Sequence, residues 1–295
     1  MSRARRLWPF GASKEEARSS PAVRALAHEL HFEIVPMKSI EEAIVALPPN
    51  AHVSVTCSPA KGIAATQEHT ERLLTLGHQP TPHISARLVE SPVHAKQIAT
   101  WLRGQHLPEV FVIAGDAAEP SGPYEGALPF MRDLLDADPG VARVGFSGYP
   151  DGHAFIADAE LTEQIHAKQA LLAEAGVDGW ISTQMCFDED KIHEWLRTQR
   201  AAGIALPIRL GIPGVVDRTR LMSMGARLGV GTSLRYLSKN RSTVMKLMAP
   251  GGYDPTDLVI AFAEDASELG IDALHSFTFN AVADTRKWQE AILAS

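Results

Sequence analysis

A few polar residues in this chain stand where apolar neighbours make them conspicuous. Glu33 lies between Phe32 and Ile34, Asp116 follows Val110-Phe-Val-Ile-Ala-Gly, and Gln184 closes Gly179-Trp-Ile-Ser-Thr. Thr56, His83 with Ser85, Tyr149 with Asp151, Ile212 and Asn280 end other apolar runs. Two carboxylates and a histidine are groups that general acid–base chemistry draws on, and an amide can donate and accept hydrogen bonds. A charge at Glu33 is costly unless it points into a barrel mouth or pairs with a buried base. Its placement favours function. Asp116 has a plainer reading as a turn cap, and Gln184 as a partner for backbone groups. His83 and His153 are far apart in sequence, and no metal set stands out. Cys57 and Cys186 lack metal-ligand spacing and read as reduced thiols. There is no Gly-x-Gly-x-x-Gly turn and no P-loop, which argues against a Rossmann cofactor mode.

These residues need elements to hold them. Val110–Ile113 is short and wholly apolar, as a strand buried on both faces of a parallel sheet would be. Other strands are expected at 30–36, 52–56, 82–85, 143–149, 179–184, 206–212 and 273–279. Helices are expected between them at about 40–47, 66–76, 91–105, 124–137, 161–175, 188–202, 217–229, 233–248 and 257–269, with a last one at 284–294. Thr66 reads as an N-cap and Ser91-Pro92 as a helix start. Eight strand–helix alternations select an α/β (β/α)8 TIM-type barrel, with an extra helical segment at 233–248 before strand eight. Residues 1–20 read as a polar N-terminal arm and 21–295 as a single barrel domain. In such a barrel the residues at strand C-terminal ends converge on one polar ring.

The chain has 295 residues, 45% hydrophobic and 21% charged, an ordinary globular composition. A net charge of -7 without a basic stripe argues against a nucleic-acid partner. No apolar run reaches the ~18 residues of a membrane helix, and the basic start carries no signal-peptide core. A cytoplasmic location with no membrane partner is expected.

Taken together, the motifs resemble the methylenetetrahydrofolate reductase family. The matching pieces are Phe32-Glu33-Ile-Val-Pro36, Pro82-His83-Ile, Ala114-Gly-Asp116 with Pro120 and Gly122, and Gly148-Tyr149-Pro150. Thr183-Gln184-Met-Cys-Phe187-Asp188, Leu210-Gly-Ile-Pro-Gly214 and Phe277-Thr-Phe-Asn280 complete the set, in family order. The resemblance implies a barrel that reduces 5,10-methylenetetrahydrofolate to 5-methyltetrahydrofolate with NADH. It implies Glu33 as the acid that protonates N10 and opens the ring, and Asp116 as the carboxylate that steadies the resulting 5-iminium cation. It also implies Gln184, Phe279 and Asn280 at the folate, and Thr56, His83, Ser85 and Tyr149 at the nicotinamide or flavin position.

Family members commonly hold FAD, whose pyrophosphate needs cations. This chain has Ala114 where an arginine is common, and Leu171 and Leu172 where bases are usual, with Lys168 remaining nearby. Little or no flavin is therefore expected, with NADH passing hydride directly to the iminium carbon. Arg235, Lys239 or Arg241 could meet the folate tail. Two alternatives stand beside this reading. One is an FAD-dependent reductase with ping-pong kinetics, the other a non-catalytic folate-binding or methyl-transfer partner protein.

Overall fold

A computed structural model of the chain describes residues 14–217, 219, 221 and 253–295. Eight strands follow in order: β1 (Leu30–Ile34), β2 (His52–Val55), β3 (Gln79–Ser85), β4 (Glu109–Ile113), β5 (Arg143–Gly148), β6 (Asp178–Thr183), β7 (Ile208–Pro213) and β8 (Ile271–Phe277). Each pairs in parallel with the next, and β8 pairs with β1, so the sheet closes. The closing register sets Leu30 beside Leu274, His31 beside His275 and Glu33 beside Phe277. The chain is thus a (β/α)8 barrel, as the alternation of elements predicts.

Helices cover the outside. Among the described residues they are α1 (Lys14–Arg18), α2 (Pro21–His28), α3 (Ile40–Ala46), α4 (Gly62–Thr75), α5 (Pro92–Gly104), α6 (Ala127–Asp136), α7 (Asp158–Ala175), α8 (Glu189–Ala201), α9 (Thr256–Ala263), α10 (Ala266–Leu269) and α11 (Val282–Leu293). Local chemistry sets several boundaries. The Ser91 hydroxyl accepts from His94 N ahead of Pro92, the Asp188 carboxylate accepts from Lys191 N, and Gly176 stops α7 at φ 65.

Some expectations shift. Helix α4 begins at Gly62, not Thr66, and the Thr66 hydroxyl instead donates to Thr56 O at 3.0 Å. The helix expected over 257–269 is two helices, α9 and α10, that break at Glu264-Asp265. Part of the expected N-terminal arm is helical, in α1, and Ala17 packs against the core. Helix α2 was not expected; Ser20 caps it, Pro21 starts it, and Val23, Leu26 and Ala27 face inward. The stretches expected as helices at 217–229 and 233–248, with Arg235, Lys239 and Arg241, lie outside the described residues apart from positions 217, 219 and 221.

Strand alternation sorts the side chains. Phe32, Ile34, Val53, Val55, Ile84, Val110, Val112, Val144, Phe146, Ile181, Leu210, Ile212 and Leu274 join the apolar layer under the helices. The other phase faces the lumen, because side chains from strands that are not neighbours touch there. Glu109 of β4 meets Arg209 of β7, Phe111 of β4 meets Trp180 of β6, and His83 of β3 meets His275 of β8.

The floor of the lumen is ionic. Arg209 donates to both Glu109 oxygens at 2.7 Å, Thr81 donates to the same carboxylate, and the Arg209 guanidinium lies 4.1 Å over the Trp180 ring. Gly145 makes room for that ring, since a Cβ there would come within 2.2 Å of it. Burial alone would raise the Glu109 carboxyl, but the Arg209 hydrogen bonds and charge outweigh it and hold the group below its ordinary value.

Candidate active site

The mouth lies at the C-terminal ends of the strands. Glu33, one residue before the end of β1, is 6% exposed, and its Oε2 lies 3.0 Å from His275 Nε2 of β8. The two alternatives for Glu33 are therefore one: it faces the lumen and meets a buried base there. The Thr278 hydroxyl donates to Glu33 O and fixes the backbone at that point. His275 also packs edge-on against Phe277, with ring centroids 5.0 Å apart.

His83 of β3 completes this cluster. Its ring lies 6.1 Å from His275 and 4.6 Å from Phe111. Burial, followed by the His275 charge, holds its imidazole well below the ordinary histidine value, so it stays neutral. Its Nε2 is buried and makes no hydrogen bond. Thr56, just past β2, likewise buries a hydroxyl with no partner.

Asp116 stands on the loop after β4 and is exposed. That loop is held by Arg87, from the 3₁₀ turn after β3. Its guanidinium donates to Ala117 O at 2.7 Å, Ala118 O at 2.7 Å and Glu125 O at 3.1 Å. The Arg87 backbone adds two bonds, one to Ala114 O and one from Ser121 N. Gly115 takes φ 95, and a Cβ on it would sit 1.7 Å from Ser85 Oγ. Only glycine fits where the chain passes this close to β3. The Ser85 hydroxyl donates to Ala114 O at 3.3 Å and so belongs to the same brace.

On the neighbouring side, burial raises the Tyr149 hydroxyl, Ser147 opposes, and the charge of Asp116 adds to the rise. Asp116 and Tyr149 follow neighbouring strands, β4 and β5, at the mouth. Tyr149 starts an aromatic row through His153, at 5.1 Å, to Phe155, at 6.1 Å. An ion pair between Asp151 and Lys191 pins this loop.

Gln184, one residue past β6, accepts from Met185 N at 2.8 Å and donates its own N–H to Gly148 O. Phe279 and Asn280 both take positive φ, 49 and 65. Phe279 is buried with Met185, Phe187, Val216, Tyr253 and Phe277 in a second apolar cluster. The Asn280 amide accepts from Val35 N and donates to Val35 O and Ser39 Oγ. Both ends of that amide are engaged in latching the segment after β1.

Leu171 and Leu172 are buried in the helix–sheet core. Lys168 sits 5.0 Å over the Phe146 ring on the outer face of β5, where burial pulls its amine to about 8.

Sequence reasoning passed over His275 and Arg87. A signal for His275 existed: Ala273, His275 and Phe277 alternate in the phase that faces the lumen. Arg87 had none, because its partners are carbonyls at 117, 118 and 125 that only the folded loop presents.

Cys57 and Cys186 are both buried. Among the described residues no helix is long and apolar enough to cross a membrane.

No family model matches the chain. Over 118 residues it is 30% identical to methylenetetrahydrofolate reductase 2 of Saccharomyces cerevisiae, a stretch that covers 37% of this chain and 19% of the yeast protein. Among solved structures, the DHPS of Yersinia pestis with a pterine–sulfa conjugate has a TM-score of 0.47 at 11% identity, covering 91% of this chain and 94% of that one. Dihydropteroate synthase of Xanthomonas albilineans gives 0.47 at 14% identity, covering 90% and 92%. The chain is a (β/α)8 barrel that, over part of its length, is similar in sequence to a methylenetetrahydrofolate reductase.

Proposed function

We propose that this protein reduces 5,10-methylenetetrahydrofolate to 5-methyltetrahydrofolate with NADH as hydride donor and without bound flavin. The observation that carries the reading is the Glu33–His275 pair at the barrel mouth, a carboxyl and an imidazole 3.0 Å apart and both buried. Such a pair can hold one proton and release it to a substrate nitrogen. The partial similarity to the yeast reductase supports the substrate.

Glu33 protonates N10 and the imidazolidine ring opens to the 5-iminium cation. Asp116, a carboxylate on the same edge of the barrel, stabilises that cation. The nicotinamide then gives a hydride to the iminium carbon and leaves as NAD⁺, with no further electron carrier. Direct transfer needs donor and acceptor carbons stacked about 3–3.5 Å apart. The leucines at 171 and 172 and the outward-facing Lys168 support the flavin-free form.

The test is anaerobic turnover of methylenetetrahydrofolate with NADH, using protein of measured flavin content. Flavin-free protein should turn over, and Glu33→Gln should abolish reduction while folate still binds. Activity that tracks a tightly bound flavin would replace direct transfer with a two-step route. A Glu33→Gln variant that turns over normally would remove the assigned acid.

A further inference from the structure

Glu33, His83 and His275 are buried on β1, β3 and β8, and their candidate ligand atoms all lie within 4.8 Å of one another. The second, independent observation is His83 itself, 4% exposed, with a buried Nε2 that has no hydrogen-bond partner. Buried polar atoms are nearly always satisfied, and one that is not calls for an explanation.

We propose that these three side chains form a binding site for a divalent transition metal, Zn²⁺ first, and that the bound metal switches the enzyme off. Two imidazoles and a carboxylate are the donor set of an open four-coordinate zinc site. Two nitrogen donors disfavour Mg²⁺ and Ca²⁺, which take oxygen. Zinc bonds of about 2.0–2.2 Å place tetrahedral donors roughly 3.3–3.5 Å apart. The Glu33–His275 pair already stands at 3.0 Å. The remaining pairs, none beyond 4.8 Å, close by small side-chain rotations on strands that the barrel holds fixed. A carboxylate that ligates the metal carries no proton to give. Binding is reversible, and no substrate bond forms or breaks. The inhibitory half of the proposal rests on Glu33 being the proton donor; the binding half stands without it.

Chelator-treated protein titrated with Zn²⁺ in a calorimeter should show one saturable site in the micromolar range or tighter. Co²⁺ in its place should give the visible absorption of a tetrahedral nitrogen–oxygen site. His83→Ala and His275→Ala should each weaken Zn²⁺ by at least the ~10–100-fold that even outer-shell changes cost. Should either variant misfold by circular dichroism, X-ray absorption at the zinc edge of the wild-type protein decides, with two imidazoles and a carboxylate expected. Thiolate or all-oxygen coordination would overturn the proposal, as would no saturable binding at millimolar Zn²⁺ or unchanged binding by folded variants. Turnover with NADH should fall as the site fills and return with chelator. Metal binding without any metal-free turnover would remove the reductase reading and leave the site; turnover without metal binding would do the reverse.

Discussion

A carboxyl buried beside an imidazole costs free energy unless each satisfies the other, and Glu33 and His275 do so across the lumen. Asp116 is the opposite case, an exposed side chain on the loop after β4. A carboxylate about 4 Å from a unit charge contributes about 4 kcal/mol at an effective dielectric of 20. Asp116→Asn should therefore lower kcat by up to about a thousandfold, read from saturation kinetics, with the melting temperature unchanged. A fall in folate affinity alone, with kcat intact, would mean that Asp116 binds the substrate without steadying the cation.

At the scale of elements, the loop from 114 to 125 deserves its own test because its shape is imposed from outside. Three carbonyls of that loop converge on Arg87, and Gly115 passes against Ser85. Arg87→Ala should leave the barrel folded by circular dichroism yet raise hydrogen exchange across the loop. It should also lower kcat by up to about a hundredfold, the cost of a roughly 1 Å misplacement. Unchanged exchange would show that the loop holds itself. These same particulars show what the sequence could reveal. Short apolar runs such as Val110-Phe-Val-Ile declare strands, and closure follows from counting them. Glu33 is legible because an acid interrupts apolar residues. Thr66 misleads because a hydroxyl near a helix start looks the same whether it caps the helix or reaches back to Thr56. Helix α2 carries its Ser20-Pro21 start signal, but eight residues next to a strand give the periodicity little room. His275 and Arg87 act on residues distant in sequence, and a linear pattern does not encode those meetings.

Across the whole molecule, the ionic floor makes stability depend on pH. The folded Glu109 carboxyl lies below its unfolded value, so its contribution is complete above the ordinary carboxylate range near pH 4–5. That contribution is lost as pH falls through the folded value, since the unfolded chain then binds the extra proton. Glu109→Gln leaves Arg209 buried without its counter-ion and should cost about 3–5 kcal/mol in urea denaturation at pH 7. The gap between wild type and variant should narrow as the buffer is acidified below pH 4; a constant gap would show that the pair contributes packing alone. The seam between β1 and β8 carries a different consequence. Glu33 and His275 are separated by 242 positions and meet only where that seam closes. A ribosome therefore releases almost the entire polypeptide before the two can touch, and a nascent chain that stalls ahead of residue 271 lacks β8 and the Glu33–His275 contact with it.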